Sequence, residues 1–125
     1  MRYANTIILL IVALIHALPV MGLLGVAHLN KLYGISINDP NLEILMRHRA
    51  VLFGIIAGLL TYAAFIPSLH KLGIVVGLVS IIAFLLLAFF TENYNASLAF
   101  VVKVDIAALI LLLIAACVEF LVQKN

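Results

Sequence analysis

Charged and other ionisable side chains are scarce in this 125-residue chain, which has seven Lys/Arg, five Asp/Glu and four His against 67% hydrophobic residues. That shortage excludes a water-soluble globule, because too few polar groups exist to cover its surface. The chain belongs in a bilayer. A spanning helix takes roughly 20 apolar residues, so the length holds about four of them and leaves no room for a separate soluble catalytic domain. The cations are spread along the chain and the net charge is only +2, which gives no patch to track phosphates and excludes nucleic acid as a partner. Cysteine occurs once, at Cys117, so neither an internal disulfide nor a cysteine-based metal site is open to the chain. No histidine pair stands at metal-ligand spacing with a carboxylate, and no metal or cofactor is expected. No serine or cysteine nucleophile has an evident activating partner along the sequence. Repeats, low-complexity tracts and linkers are missing too.

What is present is an all-α pattern of four apolar segments, at about 5–30, 40–66, 68–90 and 96–122, forming one four-helix membrane bundle. Arg2 followed by a short apolar run resembles a signal peptide, but no small-x-small cleavage site follows and the run resumes at Val20. A continuing first helix is expected, kinked near Ile15–Pro19 where Pro19 removes a backbone hydrogen bond, and running on through His28 towards Tyr33. The kink would free a carbonyl beside His16. Asp39-Pro40 is a helix start, with aspartate as cap and proline at the first position. Segment two carries Gly54 and Gly58 four residues apart, with Ala50, Ala57 and Thr61 near the same stripe, and segment three carries Gly73, Gly77 and Ser80. Such stripes let helices approach closely in lipid and are read as packing faces. Ser68 is the candidate cap of segment three, with His70 and Lys71 at the water interface. Asn95-Ala96-Ser97 matches the glycosylation pattern, a match common by chance.

Segments two and four start on the same side, so Arg47, His48 and Arg49 enter the layer together with Lys103 and Asp105. Asp105 lies ten residues after Asn95, about 15 Å along a helix, near the middle of a hydrocarbon layer. Charges at that depth must pair. On the phase of the glycine stripe, Arg47 shares a face with Glu43, Gly54 and Gly58 while Arg49 points roughly 200° away at about 100° per residue. The expectation is an Arg47–Asp105 pair inside the bundle, with Glu43 in reach of Arg47 and with Arg49 snorkelling to headgroups or serving a neighbouring chain. His16 is the further candidate for this polar cluster, and Lys103, His48 and Tyr94 are secondary ones. Arg2, Lys71 and Lys124 fall on the side of the termini and Lys31, Arg47, Arg49 and Lys103 on the other. If Arg47, Arg49 and Lys103 are interior groups, the positive-inside rule puts the termini in the cytoplasm.

The stretches His16-Ala-Leu-Pro-Val-Met-Gly-Leu-Leu-Gly25, Leu32-Tyr-Gly34, Asp39-Pro-Asn-Leu-Glu-Ile-Leu-Met-Arg-His-Arg49, Tyr94-Asn95 and Asp105 occur in that order. In this the chain resembles small bacterial four-helix membrane proteins similar to the DoxX-like families, over nearly its whole length. The resemblance implies a bacterial inner-membrane location and a four-helix bundle. Some proteins that look like this carry a pantetheine-phosphate adenylyltransferase label. That enzyme is a soluble nucleotide-binding fold with a His-x-Gly-His phosphate site, and this chain has neither. Three functions compete. The first is a bundle that binds a lipid, quinone or other amphiphile, or that acts as an accessory subunit or homo-oligomer. The second is a membrane enzyme on a lipid-like substrate, with Asp105, Glu43 or His16 exchanging protons. The third is an oligomeric proton-coupled transporter or channel component titrating at Asp105.

Overall fold

A computed structural model describes residues 3–124, the side chains of 122–124 excepted. Arg2 lies outside the described residues, as does the Lys124 side chain, and with them two of the cations used to orient the chain. Among the described residues every regular element is helical: α1 (Ala4–Ala17), a 3-10 stretch (Leu18–Leu24), α2 (Val26–Tyr33), α3 (Pro40–Ala64), a 3-10 turn (Pro67–Leu69), α4 (His70–Phe89) and α5 (Ala96–Lys124). Four helices, Ala4–Leu24, Pro40–Ala64, Pro67–Phe89 and Ala96–Leu121, are long and apolar enough to cross a membrane. Their outward faces carry large apolar side chains such as Ile7, Leu14, Ile55, Leu87 and Ile110.

The first segment does not continue as one helix to Tyr33. It changes from α to 3-10 pitch at Leu18, beside Pro19, and stops at Gly25, whose φ of 144° an L side chain rarely adopts. The short α2 then folds back over the 3-10 stretch, where Gly22 leaves room for the Leu29 side chain. Asp39 caps α3, its Oδ1 accepting from the Asn41 amide at 2.9 Å, and Pro40 occupies the first turn. Ser68 caps nothing; the residue preceding α4 is Leu69, with no side-chain cap.

α1 and α4 each pack against both α3 and α5 and also touch one another, whereas α3 and α5 stand at opposite corners of the bundle. The core runs along the α1–α4 contact through Leu9, Val12, Leu60, Ile81, Ala108, Leu112 and Ala115. Gly73 and Gly77 mark the tight crossings. A Cβ on Gly73 would sit 3.1 Å from the Ala63 methyl and 3.3 Å from a Leu9 methyl, and one on Gly77 would sit 3.0 Å from Leu112. Gly54 and Gly58 behave differently from the packing face expected of them. A Cβ on Gly58 would meet nothing within 4 Å, and one on Gly54 would make ordinary contact with Val20 at 3.5 Å. The buried face of α3 is instead Ala50, Ala57, Leu60, Ala63 and Ala64.

Near the ends of α1 and α5 lies a second polar group. Asn5 Nδ2 donates to Glu119 Oε2 at 2.9 Å, the same oxygen is 4.0 Å from His70 Nδ1, and His70 Nε2 lies 3.0 Å from the Ala64 carbonyl. His70 is therefore buried and serves helix ends, not the water interface expected of it.

Candidate functional site

Because α3 and α5 do not meet, a gap opens between them, and α1 fails to fill it where its α-helical path gives way beside Pro19. The gap is a cavity of about 440 Å³. Ile15, His16, Leu18 and Pro19 line it from the first segment, Leu32 and Tyr33 from α2, Arg49 and Phe53 from α3, and Ser80 and Phe84 from α4. α5 completes the wall from Ala96 and Ser97 through Phe100, Val101 and Val104 to Asp105. That run of α5 is about 13 Å long at 1.5 Å per residue, the length of a ring with a short tail.

Most of this wall is apolar, and its polar atoms come from separate helices. Arg49 and Asp105 are each the tenth residue of their helix, so two antiparallel-bundle helices that start at the same end bring them to the same height. Both line the cavity, though no ion pair within 4 Å joins them. The Arg49 guanidinium lies over two aromatic rings, 5.2 Å from the Tyr33 centroid and 4.5 Å from that of Phe53, and its Nη1 donates to the Tyr33 hydroxyl. These contacts offset part of the cost of holding a cation beside an apolar wall. Burial pushes the Tyr33 phenol upward, against the downward pull of Arg49, so it stays protonated near neutrality. Having accepted from Arg49, it retains its own proton for another acceptor.

His16 is buried in the same cavity wall, its ring tilted 45° against Phe53 with centroids 5.7 Å apart. Its Nδ1 is 2.9 Å from the Val12 carbonyl and its Nε2 is 2.9 Å from Ser80 Oγ. The carbonyl is the one four residues back, not one released by Pro19. Ser80 stands in the sequence as part of the Gly73–Gly77 packing stripe, and nothing there pairs it with a histidine sixty-four residues away.

The expected Arg47–Asp105 pair does not form. Arg47 is exposed; its Nη2 donates to the Leu23 carbonyl at 3.1 Å and its Nη1 lies 3.6 Å from Glu43 Oε1, so Glu43 and Arg47 make a surface pair outside the cavity. Arg49, assigned to the headgroups, is the arginine that enters. The cause is the phase of α3: its buried stripe is centred on Ala57, Leu60 and Ala64, on the side nearer Arg49, and Gly54 and Gly58 lie on the far flank with Arg47. Lys103 and His48 are exposed, and Tyr94 borders a separate shallow hollow with Thr91 and Leu98.

Beside the cavity, Asn95 ties the end of α2 to the start of α5. Its Nδ2 donates to the carbonyls of Tyr33 and Gly34, at 2.8 and 3.1 Å, while its Oδ1 accepts from the Leu98 amide at 2.9 Å and caps α5. An N-linked glycan on that nitrogen would break the clasp. Gly34 is left-handed at φ 65°, and a Cβ there would lie 2.7 Å from Ser97 Oγ. Asn95→Ala is expected to cost about 1–2 kcal/mol from the lost cap and carbonyl contacts, read as a lower midpoint in thermal unfolding of the detergent-solubilised protein. An unchanged midpoint would mean the clasp contributes nothing.

No protein-family model, curated protein or solved structure matches the chain.

Proposed function

We propose that the chain is a multi-pass protein of a bacterial inner membrane that binds a carbonyl-headed amphiphile, the class to which quinones and acyl-ester lipids belong, between α3 and α5. The observation that carries this reading is the cavity: an apolar-walled space of about 440 Å³ into which Arg49, Tyr33, Asp105, His16 and Ser80 converge from different helices. Its size lies within the usual range of small-molecule sites, which combine apolar walls with a few placed polar groups. Arg49 and Asp105 together carry no net charge, which favours an uncharged head over an anion. The Tyr33 hydroxyl and the free guanidinium N–H groups supply donors for a carbonyl oxygen, and the phenyl rings of Phe53, Phe84 and Phe100 supply a surface for the apolar body. A neutral, bundle-embedded site fits the small bacterial four-helix proteins that the sequence resembles.

Native mass spectrometry of the detergent-purified protein tests the proposal. The wild type is expected to keep one amphiphile mass. Val104→Trp, which puts an indole into the cavity from α5, is expected to lower its occupancy below half without lowering the unfolding midpoint. A wild type that carries no amphiphile and takes up neither added short-chain quinone nor added monoacyl lipid would sink the proposal.

A further inference from the structure

A carbonyl can only accept a hydrogen bond, so at 2.9 Å from the Val12 oxygen the His16 Nδ1 must carry the ring proton. In the neutral imidazole the Nε2 lone pair is then free, and the atom that meets it at 2.9 Å is Ser80 Oγ. The hydroxyl must donate. The result is a chain from Ser80 O–H to His16 Nε2, and from His16 Nδ1–H to a backbone carbonyl that fixes tautomer and ring orientation. This is the arrangement of a nucleophile, its general base and the group that orients the base. Both side chains line the cavity, and Phe53, against which the His16 ring packs, also lies under the Arg49 guanidinium. Asp105 lines the same cavity and is the one carboxylate doing so.

We propose that Ser80 and His16 are a nucleophile and base pair that cleaves the acyl ester of a lipid held in this cavity. The inference rests on the carbonyl-headed amphiphile reading and selects, within it, the ester. Ser80 Oγ bonds to the acyl carbon as its proton passes to His16 Nε2, and the carbonyl electron pair moves onto oxygen, towards the N–H groups that Arg49 brings to the cavity. Collapse breaks the ester C–O bond, and the leaving alkoxide takes the proton from Nε2 and departs as an alcohol. Water then adds to the acyl carbon of acyl-Ser80, giving its proton to Nε2. The Ser80–acyl bond breaks, the proton returns to Oγ, and a fatty acid is released. His16 keeps its Nδ1 proton on Val12 throughout, which stabilises the ring while it is cationic.

A long-chain alkyl fluorophosphonate is the probe, because Ser80 Oγ would displace fluoride from phosphorus and leave a stable adduct. Intact mass and peptide mapping of the full-length protein in detergent are expected to show one phosphonyl group, on Ser80. Ser80→Ala, a mild change inside a helix, is expected to abolish it. His16→Gln is expected to slow labelling at least 100-fold, in the range contributed by a positioned base, with the unfolding midpoint checked to separate slow chemistry from misfolding. Labelling of the wild type needs no variant to be informative. A wild type that retains an amphiphile in native mass spectrometry yet takes no phosphonyl group, or takes it on another residue, overturns the dyad and leaves the binding reading standing. A wild type with neither amphiphile nor adduct overturns both.

Discussion

Arg49→Leu is expected to weaken binding of a carbonyl-headed amphiphile by about 30-fold, equivalent to roughly 2 kcal/mol, the order of one lost hydrogen bond to a charged group. Three losses combine in that figure. The donor to a ligand carbonyl disappears, Tyr33 loses the cation that its hydroxyl and ring hold, and the Asp105 carboxylate is left facing an apolar wall without an opposite charge. Arg47→Leu is the paired control. Its partners are the Leu23 carbonyl and a half-exposed Glu43, and exposed ion pairs contribute about 0–1 kcal/mol, so binding should stay within about twofold of the wild type. Titration of each variant in nanodiscs with a short-chain quinone or monoacyl lipid, followed by intrinsic tyrosine fluorescence or native mass spectrometry, reads the difference. Equal losses at both arginines would refute the assignment of the cavity to Arg49. Arg49→Lys should fall between the two, because a point charge keeps the attraction to Asp105 but cannot stack on Phe53 and Tyr33 as a planar guanidinium does.

The largest expected effect on stability is at Gly73. Leucine there drives a side chain into the place where the Ala63 methyl and the Leu9 methyls already lie 3.1 to 3.4 Å from a bare Cβ. Leu9 is fully buried, so it has no solvent to move into. Overpacking of this kind costs about 1–3 kcal/mol, and we expect Gly73→Leu to sit at the top of that range, near 3 kcal/mol. Gly58→Leu is the matched test, being the same chemical change in a helix at a position where an added Cβ meets nothing within 4 Å. There the better helix propensity of leucine, worth up to about 1 kcal/mol over glycine, should leave the unfolding midpoint unchanged or slightly raised. If Gly58→Leu destabilises as much as Gly73→Leu, the α3 glycines pack against a surface outside the single chain, such as a second copy.

Some of this molecule is legible residue by residue. The Asp39-Pro40 start of α3, the Pro67 break and the polar turn before Asn95 are local devices, and each acts where it stands. The faces of the helices were much less legible. A four-residue spacing of small residues predicts Gly54 and Gly58, with Ala50 and Ala57, as the inside of α3, yet the buried face keeps the two alanines and is centred further round, on Ala57, Leu60 and Ala64. Arg47 and Arg49 point roughly 200° apart, so turning the inward face by about 100° exchanges one for the other. His70 was misplaced for a related reason: a histidine beside a lysine at a helix start looks wet, and only the far end of α5, which brings Glu119, encloses it.

By itself, then, the sequence determined that this chain is four long apolar helices with starts and stops near residues 40, 67 and 95, because run length, proline and caps act locally. Only the tertiary structure decided which side of each helix faces inward, and with it the cavity, the entry of Arg49 and the meeting of Ser80 with His16. The physical reason is that the outward faces are as apolar as the inward ones. Hydrophobic periodicity, which points a helix in water towards its core, carries almost no directional information when both faces are apolar. Packing volume sets the phase instead, through contacts such as Leu9 on Gly73 and Leu112 on Gly77 that join residues far apart in the chain.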